Sequence, residues 1–299
     1  MTGKLIAVAN MKGGVGKTTT VVSLAETLAA DDPKCKVLVV DLDPQASASV
    51  CLAGDDVLAQ MIVEGNTIDA FLNDLFQAGS SMFPISTIVR EGVGFVDHRG
   101  STLSTSLLPS GPGLRHVDRS IIYSLFERKM SENALEAYLA KVLKPEFDSL
   151  RDHFDYVVFD CAPGISPIGE VAIRTSDLVI VPTIPDRISL YGLNAFCLSF
   201  WQMSSKALPQ PERLPYVLVT RLIANVRQHR QMIDELKKEA SLKDAGFRLF
   251  ETRIPQNASL ADSLSLGEPT TYSRKYAGVQ TELAQLAGEV KKVLHGKRR

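Results

Sequence analysis

The sequence predicts an α/β fold: a doubly wound, mostly parallel sheet with helices on both faces. Three observations predict it. Short runs of branched apolar residues recur along the 299-residue chain, at KLIAVA (4–9), KVLVVDLD (36–43), DYVVFD (155–160), DLVIVP (177–182) and YVLVT (216–220). Each run is apolar throughout rather than alternating, the pattern of a strand covered on both faces. Stretches of helical period separate the runs, and the first run leads straight into a glycine-rich turn that opens a helix.

Taken in order, residues 17–30 place Val21, Leu24, Ala25 and Leu28 at helical spacing. NTIDAFLNDLFQA (66–78) combines an Asn/Thr start with an apolar helical stripe. Residues 79–112 are rich in Ser, Gly and Pro; LSTSLLPSG (103–111) can hold one strand, and the rest reads as loop. Helices are expected over 131–144, 188–204, 226–240 and 279–294, and a last strand over FRLFETRIP (247–255). No internal repeat or long linker interrupts this alternation. One domain over 1–299 is the economical reading, with a less typical insertion at about 55–102.

Apolar residues make up 45% of the chain and charged residues 22%, enough for a large core. No apolar run reaches membrane-spanning length, and MTGKLIAVAN lacks the pattern of a signal peptide. The four cysteines, Cys35, Cys51, Cys161 and Cys197, show no C-x-x-C spacing. Disulfide frameworks, zinc ribbons and cysteine-ligated clusters therefore lack support, and buried thiols in a reducing cytosol are expected. Charge is uneven: residues 1–100 carry 7 Lys/Arg against 12 Asp/Glu, whereas residues 200–299 carry 17 against 10. The last third suits an anionic partner.

NMKGGVGKTTT (10–20) follows a strand and opens a helix. Phosphates need closely spaced backbone N–H groups, a helix N-terminus and a cation. Gly13, Gly14 and Gly16 let the backbone curl around oxygens, Val15 and Thr19 complete the loop, Lys17 can reach phosphates, and Thr18 can offer its hydroxyl to Mg²⁺. The general pattern G-x-x-x-x-G-K-S/T fails at Met11; a second lysine, Lys12, stands before the glycines instead. Two further segments end strands in acids: DLDPQAS (41–47) supplies Asp41 and Asp43, and VVFDCAPG (157–164) supplies Asp160. Ligands of an open α/β sheet collect at such strand ends.

KGGVGKTTT resembles the deviant Walker A motif of the ParA/MinD/nitrogenase-iron-protein class, and D-L-D-P-Q matches the ParA-like members best. The resemblance covers residues 3–54 and 103–295. It implies an ATPase with ATP and Mg²⁺ as cofactors, working as a homodimer with ATP sandwiched between subunits. Lys12 would reach the partner's phosphates, Lys17 would bind phosphate in its own subunit, and Asp43 would position the attacking water. Thr18, Asp41 and Asp160 would form the metal shell. IPQNASLADSLSLGEPTTY (254–272) resembles the ParA segment that meets the adenine, which makes Pro255 and Asn257 base-side contacts. Gln256 stands where the family carries Arg.

ParA-like proteins bind non-specific DNA in the ATP state. The candidates here are Arg221, Arg227, Arg230, Arg253, Arg274 and Lys275. The resemblance also implies a ParB-like or other activating adaptor protein and a cytoplasmic, nucleoid-associated location. The alternative is a MinD-like membrane-cycling ATPase, since Leu283, Leu286, Val290, Val293 and Leu294 form an apolar stripe before a basic tail. The stripe lacks bulky aromatic anchors, so membrane attachment is not expected.

Overall fold

The computed structural model describes residues 2–78, 83–128, 131–164, 166–202, 210–262, 264 and 269–296. Its spine is an eight-stranded sheet. β1 (Lys4–Val8) lies at the centre, followed in the chain by α1 (Lys17–Asp31), β2 (Val37–Leu42), α2 (Ser47–Val63) and α3 (Ile68–Ala78). The next stretch holds four short strands, β3 (Arg90–Val93), β4 (Val96–His98), β5 (Ser101–Thr102) and β6 (Thr105–Leu108), then α4 (Leu114–Arg128) and α5 (Glu132–Ser149). β7 (Tyr156–Cys161), α6 (Pro167–Thr175), β8 (Leu178–Thr183), α7 (Arg187–Cys197), β9 (Tyr216–Leu222), α8 (Arg227–Ala240) and β10 (Arg248–Pro255) continue the alternation. The chain closes with α9 (Ala258–Asp262), β11 (Thr270–Thr271), α10 (Tyr272–Lys275) and α11 (Gln280–His295).

The strand order is β10-β9-β8-β1-β7-β2-β6-β3. All pairings are parallel except β3 against β6 at one edge. The period of two in each strand divides the core. Leu5 and Ala7 of β1, with Leu38 and Val40 of β2, face one apolar layer, which α3, α4, α5 and α6 cover. Ile6 and Val8, with Val37 and Val39, face the other, which α1 and α11 cover. Both faces are sealed, so the strands read as unbroken apolar runs. Burying each such Leu or Val contributes roughly 1.5–3 kcal/mol before chain entropy is counted.

Where the predicted elements differ from the structure, local physics explains the difference. The stretch 79–112 holds four strands rather than one; β3–β5 have only two to four residues, too few for a period to register. β4 pairs with β5 and, far along the chain, with β11, where Val96 meets Thr270, in a second small sheet. The stretch 55–102 thus carries part of α2, all of α3 and an edge strand of the main sheet. The helix expected over 188–204 runs from Arg187 to Cys197 and continues as a π-helical turn, Leu198–Gln202; residues 203 and 204 lie outside the described residues. The helix expected over 131–144 continues through Pro145 to Ser149.

The apolar stripe of α11 is buried: Leu283, Leu286, Val290 and Leu294 pack in the layer shared with α1. That stripe is therefore not free to serve as a membrane anchor. Among the described residues no helix is long and apolar enough to cross a membrane. Of the basic tail, residues 297–299 lie outside the described residues.

Candidate nucleotide site

The parallel sheet brings the ends of β1, β2, β7 and β9 to one rim, and the loop between β1 and α1 lies across it. Side chains fasten this loop from outside. Asn10, buried, donates through Nδ2 to the Pro182 carbonyl at 2.8 Å and accepts through Oδ1 from the Lys12 N–H at 3.0 Å. The Thr220 hydroxyl donates to the Val15 carbonyl at 2.8 Å. Gly14 and Gly16 have φ of 73° and 88°. A Cβ on Gly14 would meet nothing within 4 Å, so backbone shape rather than crowding demands glycine there. α1 starts at Lys17 with no acid in its first turn, which leaves its N-terminal N–H groups and positive dipole end to an anion.

Lys17 is buried, and its ammonium donates to the Lys12 carbonyl at 3.2 Å. Burial lowers its pKa; Asp160 and Asp43 nearby oppose the shift. The Thr18 hydroxyl donates to Asp160 Oδ2 at 2.8 Å. The other oxygen of Asp160, Oδ1, is buried and has no hydrogen-bond partner. Burial, reinforced by the charge of Asp41, holds the Asp160 carboxyl well above the usual carboxylate range. Asp41 and Asp160 are register partners on β2 and β7. Asp43 accepts from the Gln45 N–H at 2.9 Å and faces the pocket.

Asp41 departs from the expected role in the metal shell. It is wholly buried, and both oxygens are engaged: Oδ1 by the Asp43 N–H at 3.0 Å, Oδ2 by the N–H and hydroxyl of Ser49 at 2.9 and 2.7 Å. Ser49 also accepts from the Ser110 N–H at 3.0 Å. Asp41 therefore shapes the turn that presents Asp43. Burial pushes its carboxyl up to about 6, against the pull of the Ser49 hydrogen bonds.

A cavity of about 620 Å³ joins this rim to a wall formed by Pro255, Gln256 and Asn257. Asn257 caps α9, accepting from the Leu260 N–H at 3.2 Å, and donates to the Ala277 carbonyl at 3.3 Å. Gly13, Gly14, Gly16, Lys17, Thr18, Thr19, Asp43, Pro255 and Asn257 thus share one cavity. Lys12 does not face it: its ammonium lies 3.3 Å from Asp186 Oδ2 and 2.9 Å from Ser189 Oγ. Sequence reasoning missed Asp186, Ser189 and Thr220, because each acts through a contact distant in the chain, and Ser49, which holds Asp41 from eight residues on. The Cys161 thiol is buried beside Asp160 and pushed far up, so it is no nucleophile.

The residues fit a magnesium nucleotide. The donors around Asp160 Oδ1 and the Thr18 hydroxyl are oxygens, as a hard cation requires, and Oδ1 lacks a partner.

The six DNA candidates do not form one set. Arg227 and Arg230 are exposed on the first turns of α8, and Arg274 is exposed on α10. Arg253 lines a groove of about 450 Å³ along β10 with Arg248 and Lys237, and its Nε is buried without a partner. One candidate, Lys275, is corrected. The Lys275 ammonium is buried in an ion pair with Glu26 at 2.7 Å, beside Tyr276, and is not available to a surface partner. Arg221 stands at the cavity, where Nη1 donates to the Gly14 carbonyl at 3.1 Å.

Fold and cavity together define a P-loop ATPase. A family model described as AAA domain matches residues 3–210, and the chain belongs to that family. Within it the chain is of the ParA type. It is 28% identical to the sporulation initiation inhibitor protein Soj of Bacillus subtilis, over 96% of this chain and 98% of Soj. The fold matches the ATP complex of a Cyanothece McdA variant with a TM-score of 0.69 at 19% identity, covering 100% of this chain and 98% of McdA. It also matches pNOB8 ParA bound to nonspecific DNA, with a TM-score of 0.67 at 18% identity, over 99% and 100% of the two chains.

Proposed function

We propose that this ATPase closes into a homodimer around ATP, binds DNA without sequence preference in that state, and is reset by hydrolysis. Such a cycle would partition or position DNA or another cargo on the nucleoid. The observation that carries the proposal is the placement of Lys12: its ammonium lies outside its own cavity, held by Asp186 Oδ2 at 3.3 Å and Ser189 Oγ at 2.9 Å. A lysine that does not serve its own cavity is available to a second subunit once that pair opens.

Within one subunit, Lys17 and the loop N–H groups bind and orient the phosphates. Thr18 and Asp160 would hold Mg²⁺, which when bound offsets charge on the phosphate oxygens. Asp43, fixed by the Gln45 N–H, orients water for attack. Pro255 and Asn257 form the base-side wall. On this reading basal turnover is slow and a ParB-like or other activating adaptor raises it.

For DNA, Arg227 and Arg230 are the strongest candidates. The first turn of a helix disfavours cations by roughly 0.3–1 kcal/mol each, so helix stability does not account for them. Lys237 and Lys238 at the other end of α8 are explained by that dipole. Contact would be with phosphates, by counterion release. pNOB8 ParA, which binds nonspecific DNA, lends support.

The test is retention of random-sequence DNA at low salt. Retention with ATP and Mg²⁺ but not ADP, lost in Lys12→Ala, is expected, along with a fluorescent fusion that follows the nucleoid. Absence of DNA retention in the ATP state, or retention on liposomes instead, overturns the proposal.

A further inference from the structure

We propose that Arg221 is a nucleotide-binding residue, its guanidinium meeting the phosphate chain at the mouth of the cavity; this rests on the ATPase reading above. Four observations converge. Arg221 lines the same cavity as Gly14, Lys17 and Asp43. Its Nη1 donates to the carbonyl of Gly14, in the loop itself. Its backbone is left-handed, with φ of 51°, a conformation disfavoured for any residue with a side chain. Lastly, it makes no ion pair among the described residues, so its charge is not spent on the protein.

The surroundings explain how that backbone is kept. Thr220, the residue before, is tied to the Val15 carbonyl, and Leu222, the residue after, accepts from the Gln256 N–H at 2.9 Å. Arg221 is therefore pinned between the phosphate loop and the wall carrying Pro255 and Asn257. Strained positions that the surrounding structure over-determines gather at functional sites. A surface contact to DNA explains neither the strain nor the bond to Gly14. An exposed guanidinium offers five N–H donors, and one bond to a carbonyl leaves the others for phosphate oxygens.

The test uses the full chain with Mg²⁺ and a fluorescent N-methylanthraniloyl ATP. Arg221→Gly removes the guanidinium and suits the left-handed backbone, so the variant keeps its fold; an unchanged melting curve without nucleotide checks this. Arg221→Gly is expected to weaken nucleotide binding about tenfold, the scale of a hydrogen bond to a charged group. Arg221→Lys is expected to restore most of the affinity. DNA retention at saturating ATP is expected to persist in both variants. If Arg221→Gly binds nucleotide like the wild type, the proposal is overturned; so it is if DNA retention alone is lost, or if Arg221→Lys is as weak as Arg221→Gly. A wild-type protein that fails to bind nucleotide sinks the ATPase reading and this inference together; normal wild-type binding with an unaffected Arg221→Gly sinks this inference alone.

Discussion

The ammonium of Lys12 is paired with the carboxylate of Asp186, at 3.3 Å, inside its own subunit. Asp186 is also the N-cap of α7, accepting from the Ser189 N–H at 2.7 Å, and its hydroxyl neighbour Ser189 lies 2.9 Å from the same ammonium. If Lys12 acts across a dimer, this pair must open first. Asp186→Asn keeps the cap and removes the charge. An exposed pair of this kind is worth about 0–1 kcal/mol. Dimerisation with ATP should therefore tighten by about two- to fivefold, as read by analytical ultracentrifugation. Weaker dimerisation would mean that Asp186 guides Lys12 rather than restraining it.

Asp43→Ala should still bind ATP and dimerise. Its turnover should fall by about a hundredfold or more, the usual loss when a group that orients or deprotonates water is removed. Phosphate release and DNA residence time, measured together, check this: the first should collapse and the second lengthen. Normal turnover would reassign the water to another residue.

Asp160 gives a prediction about pH. Burial, with the charge of Asp41 close by, raises its carboxyl in the folded protein, and Asp41 itself is raised to about 6. A carboxyl whose folded pKa exceeds the unfolded value, about 3.9, takes up its proton first in the native state. Without metal and nucleotide, stability should therefore increase as pH falls from 7.5 towards 5. Asp160→Asn should raise the nucleotide-free melting temperature at pH 7.5 and flatten that rise. The same variant should lose the extra stabilisation that Mg²⁺ adds to ATP. A nucleotide-free protein that melts lower at pH 5.5 than at pH 7.5 contradicts the assignment.

Arg227 and Lys275 should behave as opposites. Arg227→Ala with Arg230→Ala should weaken DNA retention and lower the salt dependence by about one to two counterions, with the melting temperature unchanged. Lys275→Ala should leave the buried Glu26 carboxylate facing only the Tyr276 hydroxyl, at 2.7 Å. Breaking a buried pair from one side costs about 3–5 kcal/mol, so the melting temperature should drop. Glu26→Gln in the same chain should recover part of it. A Lys275→Ala protein with wild-type stability and a reduced salt dependence would return Lys275 to the DNA surface.

The sheet and the phosphate loop are legible in the sequence because their signals are local. Apolar runs such as 36–43 and 155–160 are continuous, and the glycines, lysines and threonines of the loop stand together in one short motif, 12–19, whatever they later touch. α2 is not legible: it is broken by Gly54 at φ 69° and carries apolar residues around much of its circumference. β3–β5 are shorter than any period. Among the site residues, Asp43 and Asp160 announce themselves by ending buried strands. Asp186 does not, because it meets Lys12 across 174 residues. Arg221 and Lys275 look alike in sequence, two basic residues in a basic third. Only the register of β9 and the docking of α10 send one to the cavity and bury the other.

The moorings of the phosphate loop have a consequence for how this protein signals. Asn10 ties one end to β8 and Thr220 ties the middle to β9. A berth so firmly preorganised receives a nucleotide with little rearrangement, and for the same reason its backbone cannot report which nucleotide has arrived. A change of state has to be carried instead by contacts that can be exchanged: the ion pair of Lys12 with Asp186, and the turn after Asp43, held by the Gln45 N–H. Of these two, the turn after Asp43 faces the cavity directly, whereas Lys12 meets it only through its backbone carbonyl, which accepts from the Lys17 ammonium.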